Sequence, residues 1–123
     1  MQFVGKAEPA FTSLKTQLNA PTANQNHVQY GGTVYILTNV HHTVLYIGVT
    51  SDLFTRIAQH VDKEYSESFT AKFNCNILVY YETYGRIEEA IAREKQLKKW
   101  NRAWKEALII KMNPEWKDLF KDM

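Results

Sequence analysis

Glu94, Tyr35, Tyr46, Arg56 and His60 are the side chains whose types and spacing could do chemistry together. Ile87, Ala90, Ile91 and Leu97 mark the inward stripe of a predicted helix, and Glu94 falls within it, four residues after Ala90 and three before Leu97. A carboxylate facing a core is costly unless it is paired or binds a metal. Both readings stand on the sequence: a structural ion pair with an arginine such as Arg56, or a metal ligand. Tyr35 and Tyr46 each sit within a short apolar run. Each is either a packing aromatic with a satisfied hydroxyl or, beside a cation, a general base or water-orienting group. Arg56 and His60 are four apart and share one helical face with Leu53. Arg56 reads as a salt-bridging residue or as a bidentate partner for a phosphate and the charge developing on it. His60 reads as a solvated helical histidine or a proton shuttle. His41 and His42 are adjacent in a predicted turn and are assigned to the surface. Asn113, before Pro114, terminates a helix, and its amide could also brace the site.

The elements that must position these groups follow from local pattern. Thr33–Leu37 and Leu45–Val49 are β-prone runs joined by a turn at Asn39, which predicts an antiparallel hairpin. Gly48 interrupts the second run where backbone must come close to something. Thr50, Ser51 and Asp52 are all N-cap types, so a helix is predicted from about Ser51 to Val61, with Phe54, Ile57, Ala58 and Val61 as its apolar stripe. A long polar loop spans Asp62 to Asn76. Ile77–Tyr81 is almost continuously apolar, which predicts a central strand buried on both faces. Helices are predicted over Arg86–Trp100 and Arg102–Met112, with a break near Asn101 and a stop at Asn113-Pro114. Trp116, Leu119 and Phe120 are expected to tuck the tail onto the core. The order strand, strand, helix, strand, helix, helix predicts an α+β layer.

Composition bounds the rest. A chain of 123 residues with 45% hydrophobic and 23% charged residues makes one globular domain with a modest core. Residues 1–32 differ: they hold Pro9, Pro21 and many polar residues, and read as a flexible or loosely packed leader, with Phe11, Leu14 and Leu18 able to form a short amphipathic turn. The domain proper is expected over residues 33–123. One cysteine, Cys75, excludes an internal disulfide framework and a cysteine-based zinc site. No apolar run approaches the ~20 residues of a membrane span, and no secretory signal is evident. A cytoplasmic protein is expected.

A net charge of +2 does not by itself argue for a nucleic-acid partner. Its distribution is more telling: residues 86–111 carry eight Lys or Arg against four Glu. Lys95, Lys98, Lys99, Arg102 and Lys105, with Trp100 and Trp104 interleaved, read either as a nucleic-acid footprint or as a solvated helix anchored by its tryptophans.

Taken together these residues resemble the GIY-YIG nuclease family, most closely its small single-domain bacterial members related to the N-terminal nuclease domain of the excision-repair subunit UvrC. The first motif matches Thr33-Val34-Tyr35, with Thr33 where the family has glycine, and the second matches Tyr46-Ile47-Gly48. Leu53, Arg56 and His60 follow in the helix signature, then Glu88 to Trp100 and Asn113-Pro114-Glu115-Trp116. The resemblance implies a three-stranded antiparallel sheet flanked by helices and divalent-metal-dependent hydrolysis of DNA phosphodiesters. It implies that Glu94 binds the metal, Mg²⁺ or Mn²⁺, and that Tyr46 activates or positions the attacking water with Tyr35 alongside. Arg56 would hold the scissile phosphate, with Lys95, Lys98, Lys99, Arg102 and Lys105 along the DNA. His60 would assist proton transfer, and Asn113 would support the site. Low sequence specificity or structure-selective cutting, in DNA repair or recombination, is the expected activity. A non-catalytic nucleic-acid-binding module is the alternative, and a protein-interaction domain using Trp100 and Trp104 is a third reading. Monomer and weak dimer stay open. A Glu94 carboxylate sealed from solvent against a lysine would count against the hydrolase.

Overall fold

The computed structural model describes residues 2–3, 31–62 and 68–123. The elements are β1 (Gln2–Phe3), β2 (Gly32–Thr38), β3 (Leu45–Thr50), α1 (Leu53–Val61), α2 (Phe69–Lys72), β4 (Ile77–Tyr84), α3 (Ile87–Lys99) and α4 (Arg102–Met112), then a 3₁₀ turn at Leu119–Asp122. Strand order is β1-β3-β2-β4. The β3-β2-β4 unit is antiparallel and flanked by helices, the expected α+β arrangement. Gln2–Phe3 add a two-residue parallel edge to β3 at Leu45 and Tyr46. The proposed turn at Phe11, Leu14 and Leu18 lies outside the described residues.

The hairpin forms where its turn chemistry places it. Asn39 Oδ1 accepts from the backbone N–H groups of Thr43 and Val44, at 2.8 and 3.1 Å, closing the loop that joins β2 to β3. Alternation along β2 then sends Val34 and Ile36 to one face and Tyr35 and Leu37 to the other. The first face packs against Ile87, Ala90 and Leu97 of α3 and Ile109 of α4. The second packs against Ile57 of α1, with Phe69, Leu119 and Phe120 over it. Each of these aliphatic side chains contributes about 1.5–3 kcal/mol by leaving water.

Two expectations are corrected. β4 is an edge strand, and β2, buried along its whole length, is the central one. The apolar run in β4 has a local cause. A bulge opposite Ile36/Leu37 turns both Val79 and Tyr80 toward the α3 face, so consecutive apolar residues do not mean burial on both sides. The outer edge of β4 is covered by the tail: Leu78 N–H donates to Asp118 Oδ1 at 3.2 Å, and the Asn113 amide donates to the Val79 carbonyl at 3.1 Å. The buried face of α1 also differs from the predicted stripe. Arg56, Ile57 and His60 are buried, whereas Phe54 and Val61 are exposed. A helix that buries an arginine and a histidine in preference to a phenylalanine is shaped by something other than hydrophobicity.

Candidate active site

α1 starts where its cap chemistry dictates. Asp52 Oδ1 accepts from Thr55 N–H at 3.3 Å, and the Thr50 hydroxyl accepts from Asp52 N–H at 3.1 Å. This start sets the phase of the helix and turns Arg56 and His60 toward the Tyr35 face of the sheet.

There the Tyr35 hydroxyl lies 3.0 Å from His60 Nε2. His60 Nδ1 is 2.9 Å from the Thr70 hydroxyl, which is 3.1 Å from that of Ser68. The Tyr46 ring stands 6.4 Å from Tyr35 and 5.7 Å from His60, and Phe69 stacks on it at 6.1 Å. Gly48 makes this packing possible. A Cβ there would stand 2.4 Å from Tyr35 Cζ and Oη, so the phenol occupies the space a side chain would need.

Electrostatics tie two further groups to this cluster. Burial pushes the Tyr35 hydroxyl well above its usual range, while the Arg56 charge draws it down and the Glu94 charge raises it. Burial, reinforced by Arg56, lowers His60 to about 3. His60 is therefore neutral at pH 7, with one ring nitrogen donating and the other accepting. Tyr35 is protonated there. Arg56 is only 2% exposed and Glu94 only 4%. Glu94 lies in the buried stripe of α3 as the spacing predicts. Its partner is Lys98, with Nζ 2.6 Å from Oε2, rather than Arg56 as the ion-pair reading had supposed. The Lys98 side chain keeps 20% exposure, so this pair reaches solvent through the ammonium.

The other named residues fall elsewhere. The Asn113 amide donates to the carbonyls of Val79 and Lys117, and its oxygen accepts from Lys117 N–H, so it fastens the tail to β4. α3 ends at Lys99 and α4 begins at Arg102, which breaks the basic stripe. Lys95 and Lys99 are exposed. Arg102 holds the β2–β3 turn, donating to the carbonyls of His42 and Thr43 and to Glu106. Lys105 is fully buried, its Nζ has no hydrogen-bond partner among the described residues, and burial with the nearby Arg102 charge lowers it to about 8. His42 stacks on Trp116.

Thr70 and Ser68 escape the sequence reading because they lie in the stretch taken as a polar loop. Ser68 is the N-cap of α2 and accepts from Ala71 N–H at 3.2 Å. A cap-type serine before Phe69 was the available signal, but a four-residue helix shows no period. Glu82 was also missed. It accepts from the hydroxyls of Tyr80 and Tyr84 and from Arg93, whose guanidinium lies 5.1 Å from the Trp100 ring centroid. Burial works to raise Glu82, and the hydrogen bonds from Arg93, Tyr80 and Tyr84 outweigh it and hold the carboxyl below its usual range.

The donor set can be matched to a metal. Among the described residues no group of three or more His, Cys, Asp or Glu could enclose an ion. A lone carboxylate suits a hard cation that keeps most of its waters, as Mg²⁺ does, and not a zinc cage.

The model of the GIY-YIG catalytic domain matches residues 31–107, and the chain belongs to that family. It is a nuclease-type domain, and a nuclease domain acts on nucleic acid. The matched span contains Tyr35, Tyr46, Arg56, His60 and Glu94 but not Asn113. Neither the curated proteins nor the solved structures give a match. No helix among the described residues is long and apolar enough to cross a membrane.

Proposed function

We propose that this protein is a divalent-metal-dependent DNA endonuclease that hydrolyses phosphodiester bonds at the Tyr35–His60–Arg56–Glu94 constellation. The observation that carries the reading is the buried 3.0 Å contact between Tyr35 and His60, on a phenol that feels the charges of both Arg56 and Glu94. A polar cluster kept at that depth costs stability unless it is used.

Glu94 would hold Mg²⁺ or Mn²⁺, and Lys98, its partner here, would be the competing cation. When bound, the ion stabilises charge on the phosphate and the leaving oxygen. Arg56 adds positive charge on the scissile phosphate. Tyr46 orients the attacking water and Tyr35 supports it. The neutral His60 passes a proton between Tyr35 and Thr70, since one ring nitrogen faces each hydroxyl. Lys95 and Lys99, exposed on α3, contact phosphates further along the strand. Asn113 acts by keeping β4 in place. A chain this small leaves little surface for base readout, which supports low sequence specificity or selection of DNA structure, as in repair or recombination.

The rival reading, a non-catalytic nucleic-acid-binding module, draws on the Lys98–Glu94 pair. It predicts salt-dependent DNA binding without cleavage by any metal. The test incubates supercoiled plasmid, branched DNA and single-stranded DNA with Mg²⁺, Mn²⁺ or a chelator. Cutting that requires the ion supports the endonuclease, and binding without cutting supports the module.

A further inference from the structure

The hydrogen bonds around Tyr35 do not stop at His60. They run from the phenol to His60 Nε2 at 3.0 Å, from His60 Nδ1 to the Thr70 hydroxyl at 2.9 Å, and on to the Ser68 hydroxyl at 3.1 Å. Exposure is graded along the row: Tyr35, His60 and Thr70 are buried, and Ser68 is partly exposed. What sets the row apart is the type of group beyond the imidazole. A histidine that only needs orienting gives its Nδ1–H to a backbone carbonyl or a carboxylate, an acceptor that fixes one tautomer. Here both ring nitrogens face hydroxyls, and a hydroxyl both donates and accepts. No member of the row forces its polarity, so the hydrogen bonds can point either way.

We infer that Thr70 and Ser68 complete a two-way proton path between Tyr35 and solvent; the inference rests on the endonuclease reading. In the cleavage step the water oxygen bonds to phosphorus, and the bond from phosphorus to the leaving oxygen breaks. The proton that the water sheds goes to the Tyr35 oxygen. The Tyr35 proton passes to His60 Nε2, the Nδ1 proton to Thr70, the Thr70 proton to Ser68 and the Ser68 proton to solvent. The leaving oxygen takes a proton from solvent. Every group in the row begins and ends neutral, and His60 has changed tautomer. Neutrality matters at this depth, because burial and the Arg56 charge both oppose an imidazolium. After product release the transfers run backwards: Ser68 takes up a proton, and Tyr35 gives one to the water that refills the site.

The path also accounts for the four-residue α2. Ser68 Oγ accepts from Ala71 N–H at 3.2 Å, and the Thr70 carbonyl accepts from Cys75 N–H at 2.9 Å, so both hydroxyl residues are anchored. Both act through His60 and are positioning residues.

The test has two arms. The first uses the whole chain without metal or DNA, labelled with ¹⁵N at histidine, and reads the His60 ring nitrogens by NMR. The parent gives shifts averaged between the two tautomers. Thr70→Val, which keeps the shape and loses the hydroxyl, gives the separate shifts of one fixed tautomer, and Thr70→Ser restores the average. The second arm measures single-turnover cleavage of supercoiled plasmid in mixtures of H₂O and D₂O. Thr70→Val slows cleavage at least ~10-fold, a modest part of what general acid–base transfer supplies. Its DNA affinity stays level, and Thr70→Ser recovers most of the rate. The curved dependence of the parental rate on deuterium content, the mark of several protons in transfer, is lost in Thr70→Val. If Thr70→Val does not fold, Ser68→Asn serves: it keeps a capping oxygen and removes the hydroxyl that passes the proton. A single fixed His60 tautomer in the parent, or a variant that cuts at the parental rate with the parental isotope dependence, overturns the inference and leaves the endonuclease reading standing. If no DNA is cut with any metal, the endonuclease reading fails, while tautomer averaging that depends on the Thr70 hydroxyl still upholds the path.

Discussion

The Tyr35 hydroxyl stands 3.0 Å from Nε2 of His60, although the two residues are 25 positions apart and belong to a strand and a helix. The contact is buried, and the imidazole is held neutral down to about pH 3. The unfolded chain takes up that proton near pH 6.5, whereas the native state does not, so stability is full above about 6.5 and falls with decreasing pH toward 3. The His60 share of that slope approaches ~1.4 kcal/mol per pH unit inside the window. Chemical denaturation of the parent and of His60→Gln between pH 4 and 7 checks this, and the variant gives the shallower line. Parallel lines would show that His60 is not the group responsible.

Gly48→Ala forces a methyl group to within 2.4 Å of the Tyr35 phenol. The ring must move away from His60 or the strand must shift. Overpacking of this kind costs about 1–3 kcal/mol, and cleavage falls by more than the loss of folded protein explains. Thermal melts beside single-turnover rates measure both. Unchanged rates would mean that the placement of Tyr35 is unimportant.

Much of this arrangement was legible in the sequence. Helix spacing alone placed Glu94 inward, and the N-cap cluster at Thr50 to Asp52 gave the start of α1. The hairpin followed from β-prone runs around Asn39. The errors had physical causes. A bulge in β4 imitated a strand buried on both faces. Burial of Arg56 and His60 displaced Phe54 from the core side of α1, which no hydrophobic pattern could announce. Thr70 lies on a helix too short to show a period. Lys98 as the partner of Glu94 is an i,i+4 pair visible in the sequence, but a lysine within a basic run fits phosphate binding equally well.

On the proposed reading Lys98 competes with the metal for Glu94, because its Nζ lies 2.6 Å from the carboxylate. Pairs of this kind are worth up to about 1 kcal/mol. Lys98→Ala therefore lowers the Mg²⁺ concentration for half-maximal cleavage about two- to fivefold, while KM for DNA stays level or rises. Metal titration at saturating DNA reads the effect. A higher metal requirement in the variant would assign Lys98 a supporting role in metal binding.

Lys105 is enclosed and its amine lacks a hydrogen-bond partner among the described residues. Lys105→Met removes a buried charge and retains the stem volume, so stability at pH 7 rises by about 1 kcal/mol or more. The gain shrinks as pH climbs past 8, because the parent amine then sheds its proton in the native state before it does in the unfolded one. Denaturation at pH 7 and pH 10 gives both numbers, and DNA affinity should be level in the two proteins. A marked loss of affinity would restore Lys105 to the nucleic-acid surface.

The most direct measurement is metal-dependent cleavage by Glu94→Gln. The amide keeps the size of the side chain and removes the anionic ligand, so folding by circular dichroism and DNA affinity stay near those of the parent. Cleavage in Mg²⁺ or Mn²⁺ falls by at least ~10³-fold, the scale of losing an electrostatic centre of catalysis. Glu94→Gln protein that still cuts DNA at the parental rate, with the same need for metal, would contradict the placement of the hydrolytic centre at this carboxylate.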